Sequence, residues 1–134
     1  MRKTKIVTTF LTNSEKILLL KRSQKVKSMK NLWAGISGII EGNEQPLERA
    51  KIEVYEEVGI KESNIELIKE GKIILIESPQ YENHQWEVYP FLFSCNNIEI
   101  KLNWENSESK WINVNELNEF KTVPSLDRVL TRLF

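Results

Sequence analysis

The sequence predicts a layered domain of the α/β or α+β class, with helices packed on a mixed β-sheet. Three observations carry this reading. The 134 residues suffice for one core and are short for two. Several short segments are rich in β-branched residues or alternate at period two, and two others repeat apolar residues every three to four positions. A single domain spanning residues 1–134 is expected.

The elements follow in order. Lys5 to Leu11 and Glu15 to Arg22 read as strands joined by the turn formers Thr12, Asn13 and Ser14, hence a hairpin. Lys21 to Lys30 carries Lys21, Arg22, Lys25, Lys27 and Lys30 without an acidic residue, a basic loop feeding the apolar stretch Leu32 to Ile40. Pro46 suits a first helical turn and Gly59 a left-handed stop, which predicts a helix near 46–58 with Leu47, Ala50, Val54 and Val58 facing the core. Strands are expected at Ile65 to Lys69, Lys72 to Glu77 and Gln85 to Ser94. A turn at Asn96 and Asn97 then leads to further strands at Ile98 to Leu102 and Lys110 to Val114. Pro124 opens a last helix, with Leu126, Val129, Leu130 and Leu133 on one side.

Composition narrows the function. Lysine plus arginine equals aspartate plus glutamate at 19 each, so no global positive field favours a long nucleic acid. The longest aliphatic runs, Ile17 to Leu20 and Ile73 to Ile76, are four residues, too short to span a bilayer. A lone cysteine, Cys95, excludes an internal disulfide and fits a reducing compartment. No apolar signal-peptide region follows the basic start, so a cytoplasmic location is expected.

Glu53, Glu56 and Glu57 share one side of the first helix, away from the apolar stripe, in its C-terminal half. The macrodipole opposes each exposed anion there by roughly 0.3–1 kcal/mol. A solvated acidic face tolerates that cost; a divalent cation held by hard oxygen ligands reverses it. The basic segment upstream favours the cation, because metal and phosphates need separate blocks of opposite charge.

Gly38 to Ile60 reads GIIEGNEQPLERAKIEVYEEVGI, which resembles the Nudix box, G-x5-E-x7-R-E-U-x-E-E-x-G-U with U a bulky aliphatic residue. Gly38, Glu44, Glu53, Val54, Glu56, Glu57, Gly59 and Ile60 match at the required spacing, and Ile52 stands where the pattern has arginine. Ile17 to Arg22, Trp33 to Gly38 and Trp104 to Val114 extend the likeness over most of the chain, and the order resembles small archaeal-type members that also lack the arginine.

The resemblance implies an α/β/α sandwich with a mixed β-sheet between helices, and metal-dependent cleavage by water of a diphosphate linkage in a small-molecule nucleotide. It assigns Mg²⁺ or Mn²⁺ to Glu53, Glu56, Glu57 and the Ser37 carbonyl, with Glu105 joining from outside the box and Glu108 as second choice. The base is one of Glu53, Glu56 and Glu105. Arg22 aligns with a phosphate contact, and Lys25, Lys27 and Lys30 either add charge or are solvated. Trp86 and Tyr81 are candidates to stack on a nucleobase. Arg49, one turn before Glu53, is the substitute for the missing arginine in preference to Lys51.

The remaining residues read as structural: His84 in an exposed loop, Cys95 in packing, and Trp33, Trp86, Trp104 and Trp111 in packing first. The expected activity is diphosphohydrolysis by a monomer or homodimer. The alternative is a nucleotide-binding module that has lost turnover through Ile52. Isomerisation of an isoprenoid diphosphate ranks last, since Cys95 follows the box rather than preceding it.

Overall fold

A computed structural model describes residues 2–78, 81–96 and 99–134. Among these described residues eight strands form one sheet: β1 (Arg2–Asn13), β2 (Lys16–Arg22), β3 (Trp33–Ala34), β4 (Ile36–Ile39), β5 (Ile65–Glu70), β6 (Ile74–Glu77), β7 (His84–Cys95) and β8 (Asn106–Ile112). Two helices, α1 (Pro46–Val58) and α2 (Leu126–Thr131), pack on its opposite faces.

The spine is β1 paired in parallel with β7, from Arg2 opposite His84 to Thr12 opposite Ser94. Each spine strand changes partner along its outer edge. β1 pairs β2 only at the hairpin, where Ser14 and Glu15 both have positive φ as a two-residue turn requires, and then pairs β4 over Ile6 to Thr9. β7 pairs β6 from Gln85 to Val88 and β5 from Phe91 to Cys95. Pro90 occupies the gap between those partners. Its carbonyl accepts from Gly71 N–H at 2.9 Å, so its donorless nitrogen faces the same gap, where no ladder bond is lost.

The apolar stretch after the basic loop is two strands rather than one. β3 pairs β2 and β4 pairs β1, and the chain switches between them at Gly35, where a Cβ would lie 3.0 Å from the Thr9 carbonyl. This fork opens the sheet beside α1.

The α1 boundaries match the sequence reading: Pro46 occupies the first turn, and Gly59 at φ 75° returns its N–H to the Tyr55 carbonyl at 3.0 Å. Ala50, Val54 and Val58 are fully buried against Val7, Leu11, Phe91 and Phe93, while Leu126, Val129, Leu130 and Leu133 cover Phe10, Leu19 and Val88 on the other face. Two cores thus lie either side of one sheet, as the α/β reading requires.

Three expectations change. The turn at Asn97 and the strand start at Ile98 lie outside the described residues, and residues 99–102 form no strand; Lys101 N–H caps the Val58 carbonyl at the end of α1 instead. β8 begins at Asn106, ahead of the expected Lys110, because it ladders along β2 up to Arg22. It is followed by a 3₁₀ helix, Val114–Glu119, whose start is closed by reciprocal bonds of Asn113 and Glu116. α2 starts two residues after Pro124, following Ser125 in a left-handed conformation.

Candidate active site

Glu53 and Glu57, one turn apart on α1, are 7% and 3% exposed, whereas Glu56 between them is exposed. The helix therefore does not present three solvated acids: two point at the sheet beside the apolar stripe. Room for Glu53 comes from β4, since a Cβ on Gly38 would overlap the Glu53 carboxyl group. Glu57 Oε1 accepts from Asn106 Nδ2 at 3.0 Å, while its buried Oε2 meets no donor. Burial pushes the Glu57 carboxyl well above its ordinary pKa, with Glu105 and Glu53 adding like charge. Burial also raises Glu53, against the pull of Arg49.

Arg49 crosses the space between the loop before α1 and Glu53. Its Nε and Nη2 donate to the two oxygens of Glu44 at 2.9 and 2.6 Å, and its Nη1 donates to Glu53 Oε2 at 2.9 Å. Lys51, the other substitute weighed, bonds Glu62 at 2.8 Å and does not reach these acids. Ile52 is 39% exposed and belongs to neither core, so the departure from the box costs little packing.

A cavity of about 490 Å³ opens beside Arg49, Glu53 and Glu56, with Glu57 outside its lining. Its polar lining includes Arg22, Ser37, Glu53, Glu56 and Glu105, and its apolar lining Ile6, Ile76, Trp86, Val88, Leu126 and Val129. Arg22, at the end of β2, is oriented by donating to the Ser28 carbonyl at 3.1 and 3.3 Å; burial lowers its pKa while the charges of Glu57 and Glu105 raise it. Glu105 is braced by Asn103, which donates to its carboxylate at 3.2 Å. Glu108 lies outside the cavity, paired with Lys21 at 3.3 Å.

Other residues fall elsewhere. Tyr81 is exposed, absent from the cavity lining and stacked under Arg2. Lys25, Lys27 and Lys30 are exposed and do not line it. His84 is buried rather than exposed, because it opens β7 opposite β1 and its Nε2 bonds Thr4 Oγ1 at 2.7 Å. Trp104 is 60% exposed rather than packed, whereas Trp33, Trp86 and Trp111 pack against the cores and Cys95 is buried in one. Sequence reasoning missed Asn106; its only signal was its place beside Glu105.

The chemistry of the acids suits a hard divalent cation: several carboxylates, two of them buried, one with an oxygen left without a partner. As placed, no three acidic, histidine or cysteine side chains among the described residues converge into a closed set.

Fold and cavity together define an α/β domain with an acid-lined cleft. The NUDIX domain family profile matches residues 2–134, so the chain belongs to the Nudix family, as a diphosphohydrolase. It is 31% identical over 123 residues to an RNA pyrophosphohydrolase of Pelagibacter ubique (strain HTCC1062), covering 81% of this chain and 75% of that protein. The fold is shared with a MutT protein from Methanosarcina mazei Go1, at a TM-score of 0.77 and 20% identity over 98% of this chain and 93% of that one. It is shared too with an Ap4A hydrolase of C. elegans, at 0.75 and 16% over 98% and 94%.

Proposed function

We propose that the chain hydrolyses a diphosphate linkage in a nucleoside triphosphate or another nucleoside diphosphate derivative, dependent on Mg²⁺ or Mn²⁺. The observation that carries this reading is a cavity lined by Glu53, Glu56, Glu105 and Arg22, with the buried carboxyl of Glu57 set against Glu53 behind it. Glu53, Glu56, Glu57 and Glu105, with the Ser37 carbonyl, are the proposed ligands. When bound, the cation neutralises the diphosphate and lowers the pKa of a water molecule.

The chain's own groups do the rest. Asn106 holds Glu57 through one oxygen and leaves the other to ligate. Arg22, fixed by Ser28, presents its guanidinium to phosphate oxygens, and the apolar lining shelters the nucleoside with Trp86 against its base. Glu53, Glu56 and Glu105 are the carboxylates proposed to accept the water proton. A cavity lined both by acids and by apolar side chains favours a substrate with a charged and a flat part, and is the reason the small-nucleotide reading is preferred.

The test is a panel of nucleoside triphosphates, nucleoside diphosphate derivatives and a 5′-triphosphorylated oligoribonucleotide, read for phosphate and pyrophosphate release with Mg²⁺ and with EDTA. Turnover that EDTA abolishes is expected. No turnover on any of them, or turnover indifferent to metal, overturns the reading. Arg22→Ala should weaken substrate affinity by roughly 1–3 kcal/mol while leaving Mn²⁺ affinity unchanged; an unaltered KM removes Arg22 from the site.

A further inference from the structure

We infer that Arg49 is the positioning residue of this site, a guanidinium clamp that locks Glu53 to the loop ahead of α1 in one ligating orientation. The inference rests on the reading of Glu53 as a metal ligand.

The geometry is that of a two-sided clamp. On one side the planar fork of Arg49 takes both oxygens of Glu44, at 2.9 and 2.6 Å, the pairing a guanidinium makes and an ammonium cannot. On the other, the remaining nitrogen holds Glu53 Oε2 at 2.9 Å. Glu44 is itself tied to the loop, since its Oε1 accepts the backbone N–H of Glu41 at 2.8 Å. The Arg49 side chain is 12% exposed and that of Glu53 9%, so solvent screens the contact weakly.

The opposite wall is Gly38, against whose Cα the Glu53 carboxyl group rests. A carboxylate held by a fork from one side and by backbone from the other has few rotamers left. Loop, helix and strand β4 therefore meet at one oxygen pair. Held through Oε2, Glu53 sets its carboxyl beside that of Glu57, and the Arg49 charge offsets the repulsion it feels from Glu56. Ile52, at the position where the box pattern has arginine, is half-exposed and outside both cores, so in this chain the guanidinium reaches the acids from one turn earlier.

The experiment compares the full chain with Arg49→Ala, Arg49→Lys, Glu44→Gln and the double variant of Arg49→Ala with Glu44→Gln. Readouts are kcat and KM on whichever nucleotide the panel identifies, Mn²⁺ affinity by electron paramagnetic resonance of the free ion, and Tm. Losing a residue that orients a ligand costs about 10–100-fold in affinity or activity. Both Arg49 variants should lower kcat and Mn²⁺ affinity within that range with KM little changed. Arg49→Lys keeps the charge, and should keep Tm near the parent value while still losing kcat. Adding Glu44→Gln to Arg49→Ala should cost almost nothing more, because the two act as one unit.

An Arg49→Lys protein with parental kcat and Mn²⁺ affinity overturns the clamp, and so does an Arg49→Ala protein that loses only Tm. If Arg49→Ala does not fold, Arg49→Lys decides alone. A parent chain inactive on every nucleotide, with Mn²⁺ binding still weakened by Arg49→Lys, sinks the proposed reaction and leaves the clamp standing. Full activity in the parent and both variants does the reverse.

Discussion

Glu57 holds a buried carboxyl group, with one oxygen bonded to Asn106 and the group set against the carboxyl of Glu53. Its pKa in the folded metal-free chain lies well above the ordinary 4.5. Between those two values the native state binds more protons than the unfolded one, so metal-free stability should fall as pH rises from about 4.5 to the folded pKa and level beyond it. Tm measured against pH in EDTA checks this. Glu57→Gln should flatten that part of the curve; an unchanged slope would show that other groups set it. At Ile52, whose side chain is 39% exposed, Ile52→Arg should change stability by less than about 0.5 kcal/mol. It should also leave kcat within about threefold, a change under 0.7 kcal/mol, since Arg49 already fills the place beside Glu53. A larger gain in kcat would mean the clamp is incomplete. The sequence places acids at i and i+4 but is silent on their burial, which depends on other elements: Gly38 leaves room for Glu53, and Asn106 meets Glu57. Asn106 and His84 were illegible for the same reason: their partners, Glu57 and Thr4, are distant along the chain.

Helix α1 was readable to the residue because its signals are local: proline's missing donor at one end, glycine's left-handed backbone at the other. Gly59→Ala should therefore cost about 1 kcal/mol or more, since φ is 75° and a Cβ would stand 3.1 Å from that of Lys101, yet leave kcat unchanged. Chemical denaturation with parallel assays measures both, and a loss below a few tenths of a kcal/mol would contradict the strain argument. Gly38→Ala should do the opposite in kind. It pushes the Glu53 carboxyl aside and should lower kcat more than an equal loss of stability elsewhere does. Strands were less legible, because a strand exists only with a partner. Residues 99–102 alternate in sequence but their backbone turns to the end of α1, and β8 runs beyond its expected start because β2 offers edge as far as Arg22.

Across the whole molecule, two apolar stripes facing opposite sides of one sheet fixed the layers, and these were visible as helical periodicity around Val54 and Val129. What the sequence did not display is the passage between the layers. The chain leaves β3 at Gly35 and re-enters the sheet at β4, and the cavity runs through that fork from the acids on α1 to Trp86 and α2. Tyr81, five residues before Trp86 on the cavity wall, falls outside it because its ring packs against His84 and Arg2 instead. A cation that binds only the native state stabilises it by RT ln(1 + [L]/Kd), about 2.7 kcal/mol at a hundredfold excess over Kd. The central claim is that the buried acids of α1 await such a cation, and thermal unfolding of the parent chain and Glu57→Gln, each with EDTA and with saturating Mg²⁺, tests it most directly. The parent should start lower and rise markedly with Mg²⁺, whereas Glu57→Gln should start level or higher and rise by less than half as much. Equal Mg²⁺ responses in the two proteins, or a metal-free Glu57→Gln that melts well below the parent, would show instead that Glu57 is a structural residue and that the site is not built for a metal.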